Sequence, residues 1–100
     1  MIPIYRWNGK YFGFISNGRL FDMHSTYLGW IDGGEVWRRN GTFLGEIIDE
    51  HYILRRVNIA SRAQRAVRAT PATPATPAYR VNRVARVQRV GRIDALDEFQ

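Results

Sequence analysis

YFGFI at 11–15, YLGWI at 27–31 and FLGEI at 43–47 fall into one column when the chain is laid out at a period of sixteen, and Gly13, Gly29 and Gly45 then superpose. The turn signals follow the same period. Asn8-Gly9, His24-Ser25 and Asn40-Gly41 precede the three glycine segments, and Asn17-Gly18, Gly33-Gly34 and Asp49-Glu50 follow them. Asn-Gly and Gly-Gly take positive φ at little cost, as two-residue hairpin loops require. A turn every eight residues or so predicts an all-β meander of short antiparallel hairpins, with about seven strands before residue 58.

Strict alternation along each glycine strand puts Tyr11, Gly13 and Ile15 on one face and Phe12 and Phe14 on the other. The column Phe12, Leu28, Leu44 stays apolar. The column Phe14, Trp30, Glu46 does not, and is expected to be partly solvated or at an interface. A glycine in mid-strand weakens the strand, so three at one place imply a close approach of backbone, as where repeats converge on an axis. The fourth copy is poor, because YILRRVNIA at 52–60 supplies a first strand but no glycine turn and no glycine strand. Closure of the array is therefore open at this level, although such repeats need neighbours to bury their apolar faces.

The pattern of Gly9, Phe12, Gly13 and Ile15, with its two later copies, resembles the four-fold β-flower proteins, a bacterial family of hairpin repeats with a Pro-rich triplet tail. The resemblance covers roughly the first 57 residues. It implies a flower-like ring of hairpins about a pseudo-four-fold axis, and it brings no catalytic residues. The tail departs from the family, with arginine at positions where members mostly show proline.

From Arg55 onward the chain divides into thirteen triplets in one frame: RRV, NIA, SRA, QRA, VRA, TPA three times, YRV, NRV, ARV, QRV and GRI. An α-helix would send Val81, Val84, Val87, Val90 and Ile93 spiralling around the cylinder, and a strand would mix valine and arginine on both faces. Only a three-fold helix keeps each type on one edge. Pro71, Pro74 and Pro77 remove donors that a 3₁₀-helix needs, which leaves polyproline II. Its basic ladder is Arg80, Arg83, Arg86, Arg89 and Arg92, and its expected assembly edge is the Val81 to Ile93 series. About 39 such residues at ~3.1 Å each make a rod of ~120 Å, against a hairpin module of roughly 26 Å, so the valines are expected to need other subunits. On this reading the arginines point to solvent, acids or backbone carbonyls. Two plainer readings stay open: a disordered spacer built by slippage of the TPA triplets, and a helix over 59–69 capped by Ser61 and Gln64.

The chain carries 15 Lys and Arg against 9 Asp and Glu, a net charge of +6. Residues 58–100 hold eight arginines and three acids, so the basicity belongs to the triplets. There is no cysteine, which removes disulfides, thiolate zinc and cysteine nucleophiles together. A structural metal or cofactor is not expected. No stretch approaches the roughly 18 apolar residues of a membrane span, and the N-terminus lacks a leader pattern, so a cytoplasmic location is expected.

Candidate chemistry is sparse. Asp22, His24 and Ser25 have the residue types of a nucleophilic triad, yet neighbours on one strand end point apart. His51 beside Asp49 and Glu50 reads as an acidic turn before it reads as a metal site. Trp7, Trp30, Trp37 and Tyr5 suit core or interface packing, with a sugar-binding surface as the rival.

The organisation expected is a β-hairpin module over 1–57, a polyproline II-like tail over 58–93 and an acidic end over 94–100. The function expected is non-enzymatic, a structural protein whose tails pack between identical subunits into an oligomer or filament, with no small-molecule substrate. The second reading is an adaptor that binds nucleic acid or another anionic surface through the arginine ladder.

Overall fold

A computed structural model describes residues 1–57, 63–75, 77, 81–86 and 91–99. Eight strands run in sequence order through one antiparallel sheet: β1 (Ile2–Tyr5), β2 (Tyr11–Ser16), β3 (Arg19–Asp22), β4 (Tyr27–Asp32), β5 (Glu35–Arg38), β6 (Phe43–Ile48), β7 (Tyr52–Arg56) and β8 (Arg92–Asp94). The expected meander is therefore present, curled into a half-barrel, and among the described residues helix is confined to a short 3₁₀ segment, Ala95–Phe99. The turn chemistry explains the spacing. Asn17 and Gly18, Gly33 and Gly34, and Asp49 and Glu50 all have positive φ, the backbone that joins two twisted strands through a tight loop.

The alternation rule fails at one place in each repeat, and the failure builds the core. Ile4 pairs with Gly13 and Tyr5 with Tyr11, so Phe12 is an extra residue. Leu28 and Leu44 are skipped in the same way. Each bulge turns its residue inward, so Phe12 joins Ile15 in the central cluster while Phe14 lies with Phe21 and Tyr27 outside it. The central cluster is lined by the column Ile4, Leu20, Val36 and Ile53, all fully buried. Each contributes about 1.5–3 kcal/mol. Phe14 and Trp30, whose column is expected to be partly solvated or at an interface, are fully buried.

The repeat glycines are tied to these bulges. A Cβ built on Gly13 would lie 2.1 Å from the Phe21 carbonyl oxygen, on Gly29 1.9 Å from that of Trp37, and on Gly45 2.7 Å from that of Leu54. The bulged strand crosses its neighbour too closely for any side chain.

The fourth hairpin is completed from beyond the triplets. β8 pairs with β7 through Leu54 and Asp94, Arg55 and Ile93, and Arg56 and Arg92. The Val57 amide donates to the Gly91 carbonyl at 2.8 Å, and Gly91 has φ +77°. Residues 58–90 thus leave and rejoin one hairpin, a long loop inserted in the fourth repeat. The last triplet, GRI, is mostly strand rather than tail, and the acidic end belongs to the core. Ala95 and Leu96 are buried in the central cluster. The Asp94 carboxylate accepts from the amides of Trp7 at 2.9 Å and Leu96 at 3.0 Å, tying the end of the sheet to its start. Arg6 pairs with Asp97, and Arg38 grips Glu98 through two nitrogens at 2.6 and 2.7 Å. Closure that the 52–60 segment alone leaves open is supplied by residues 92–99.

Candidate functional site

The described residues of the loop form neither helix nor strand. The helix envisaged over 59–69 is absent from 63–69, and its capping Ser61 lies outside the described residues. Nor does the loop stand away from the sheet. The molecule measures 36 × 36 × 23 Å, far short of a projecting ~120 Å rod.

What holds the described part of the loop to the sheet is the middle position of its arginine triplets. The guanidinium of Arg65 lies 4.1 Å from the ring centroid of Trp37, and that of Arg68 lies 5.0 Å from Trp30. On the far side, Arg83 sits 4.3 Å over Tyr5, and Arg86 lies 4.9 Å from Trp7 and 5.0 Å from Tyr52. A delocalised cation over an electron-rich face gains about 0.5–2 kcal/mol, more as water is excluded. Acids complete three of the seats, with Arg68 3.8 Å from Asp32. Arg65 pairs with Asp32 and lies 3.7 Å from Glu35, and Arg86 reaches Asp49 at 2.7 Å.

Main-chain bonds fix the register. Arg65 donates its amide to the Gly41 carbonyl at 2.8 Å, Arg83 to that of Gly9 at 2.6 Å, and Arg86 to that of Trp7 at 2.9 Å. The Tyr11 amide donates to Asn82 Oδ1 at 2.9 Å, and Gln64 Nε2 to the Asn40 carbonyl at 2.7 Å. Gly9 and Gly41 have φ near +90°, and a Cβ on either would fall 1.8 to 2.0 Å from the carbonyl oxygen of Arg83 or Arg65. The loop runs directly over these two turns.

Among the described residues, the middle positions of the triplets lie against the sheet. Pro71, Pro74 and Pro77 are half-buried, while Thr70, Ala72, Thr73 and Ala75 between them are exposed. The apolar edge faces outward at Val81, 86% exposed, and Val84, 89% exposed, and Val67, at the first position of its triplet, is 64% exposed. Of the ladder residues, Arg83 and Arg86 lie on aromatic rings, and Arg92 is in β8. Ile93, also in β8, is 38% exposed. Arg80, Arg89, Val87 and Val90 lie outside the described residues. Arg65 and Arg68, which a ladder counted from residue 80 omits, do the same work as Arg83 and Arg86. The signal that finds them is the triplet frame carried back before the prolines.

The other candidates resolve into local structure. Asp22 Oδ1 accepts from the amides of His24 at 2.8 Å and Thr26 at 3.0 Å, which closes the turn, and Ser25 has φ +65°. His51 Nδ1 donates to the Pro3 carbonyl at 2.8 Å. Among the described residues, no group of three or more His, Cys, Asp or Glu side chains is placed to hold a metal ion, and no helix is long and apolar enough to cross a membrane. The aromatic residues lie against the loop: Trp30 is fully buried and Trp37 nearly so. Their indole N–H groups have no acceptor among the described residues.

A family model described as "4-fold beta flower protein" matches residues 2–98. The match takes in the loop and β8 as well as the first three hairpins. No curated protein and no solved structure matches the chain.

Proposed function

The chain belongs to the 4-fold beta flower family, and we propose that it is a non-enzymatic self-assembly module, whose loop presents its Ala and Val edge to identical subunits. The observation that carries this reading is the sidedness of the loop. Its described arginines and prolines lie against the sheet, while Val67, Val81 and Val84 are exposed. Burying an exposed valine between subunits contributes on the order of 1–2 kcal/mol, and repetition along the edge multiplies that over one interface. The alanines that precede the valines on that edge are small enough to let two extended chains approach closely. The polyproline II conformation of the loop belongs to this proposal, supported by the way every third residue faces inward.

The alternative, an arginine ladder reading phosphates, is weakened by where the arginines are engaged. Arg65, Arg68, Arg83 and Arg86 lie over aromatic rings, and three of them also pair with Asp32 or Asp49. A polyanion would have to displace those partners.

Sedimentation at rising protein concentration tests the proposal. A large species that persists at high salt and becomes monomer in V81S/V84S supports it. Monomer alone, at every concentration of the unaltered chain, ends it.

A further inference from the structure

The described residues of the loop behave as a ligand of the sheet and add nothing to its core. The central cluster draws on residues 4 to 53 and on Ala95 and Leu96, with no described residue from 63–86. No described residue of the loop between 63 and 86 is buried. β8 and the 3₁₀ segment are held by their own bonds to β7, Trp7 and Arg38, independently of the loop. The contacts that do hold the loop are those of peptide recognition: main-chain amides given to sheet carbonyls, and side chains seated on rings at a fixed spacing.

We propose that the aromatic face carried by Tyr5, Trp7, Trp30, Trp37 and Tyr52 is a binding surface for extended peptides with Arg or Pro at every third position, and that the loop of a second copy can occupy it in exchange for the chain's own. The choice of occupant rests on the self-assembly reading, whereas the surface itself does not. Loss of the cis loop would uncover Trp30 and Trp37, both now almost fully buried. Their indole N–H groups, without acceptors among the described residues, add donors of the kind that a peptide carbonyl satisfies. A second copy offers the one segment whose chemistry is already seen to match the face. Reciprocal exchange between two copies repeats the same contacts in both directions, which closes a dimer. The tethered loop competes at an effective concentration on the order of millimolar, so exchange is suppressed until that loop is weakened.

The test uses the full-length chain and a fluorescent peptide copying residues 63–86. In R65S/R83S, which removes one seated arginine from each end of the cis loop, the peptide should bind at least tenfold more tightly than to the unaltered chain. A peptide with serine in place of its four seated arginines should not bind, and W37L in the full chain should weaken binding. A peptide carrying V81S and V84S should bind as the natural one does, which separates this surface from the valine edge. If R65S/R83S does not fold, the unaltered chain titrated with peptide to millimolar concentration should show a saturable change in tryptophan emission. Absence of binding in the folded variant, absence of that change in the fallback titration, or binding indifferent to the peptide's arginines overturns the proposal.

Discussion

Arg65 and Arg83, eighteen residues apart in the loop, make the same pair of contacts two repeats apart in the sheet. Each donates its amide to the carbonyl of a positive-φ glycine, Gly41 or Gly9, and lays its guanidinium on the aromatic residue of one column, Trp37 or Tyr5. The loop therefore advances nine residues, three triplets, for each sixteen-residue repeat. Nine extended residues cover ~28 Å, and a quarter of the circumference of a disc 36 Å across is also about 28 Å. The triplet period keeps one edge inward, and three triplets per repeat bring equivalent arginines to the Gly41 and Gly9 turns.

The midpoint of that interval is Pro74, which the spacing assigns to the His24-Ser25 turn of the second repeat. Ser25 is only 5% exposed, as a residue beneath the loop would be. Nuclear Overhauser contacts between Pro74 and Ser25 are expected. Ser25→Gly should be tolerated at φ +65°, while Ser25→Val should cost about 1–2 kcal/mol in chemical denaturation, since a β-branched residue resists the left-handed region.

Gly41→Ala should release one end of the loop, because its Cβ would collide with the Arg65 carbonyl. Gly18→Ala has comparable φ strain and nothing within 4 Å. Limited proteolysis should cut G41A between residues 63 and 70 much faster than the unaltered chain. G18A should lose about 1 kcal/mol without that new cleavage.

Leu96→Ala should destabilise the sheet by about 2–5 kcal/mol, as expected for a fully buried side chain in the central cluster. Thermal unfolding measures this. A loss near zero would mean that the C-terminal segment does not close the fourth hairpin.

The acid limb of stability should depend on Glu98. Its carboxyl is held below the ordinary value by the hydrogen bond from Arg38, with burial opposing and the charges of Arg38 and Arg55 assisting. A depressed folded value means that its contribution is complete above the unfolded carboxylate range, about pH 4.3, and is lost as pH falls through the folded value. Glu98→Gln should flatten that part of the curve. Asp94 has the opposite sign, because burial raises it against the amide bonds from Trp7 and Leu96. Its ionisation lowers stability as pH rises from the unfolded range through the folded value.

The hairpin meander was legible because its turns announce themselves in Asn-Gly and Gly-Gly pairs. The orientation of the glycine strands was not, since a period of two has no place for the extra residue at Phe12, Leu28 and Leu44. The triplet frame was legible as a period, but its sidedness was not. Arginine prefers water when no aromatic face is offered, and only the fold brings Trp37 and Tyr5 under Arg65 and Arg83. β8 was concealed for a related reason: Gly91-Arg92-Ile93 satisfies the triplet pattern and also the turn and first residues of a strand.

Amide hydrogen exchange at Arg65 and Arg83 in the intact protein tests most directly whether the loop is seated in phase with the repeats. Both amides should exchange slowly and to a similar degree, and the exposed amides of Ala72 and Ala75 between them should exchange fast. Exchange at the unprotected rate for Arg65 and Arg83 would contradict the account.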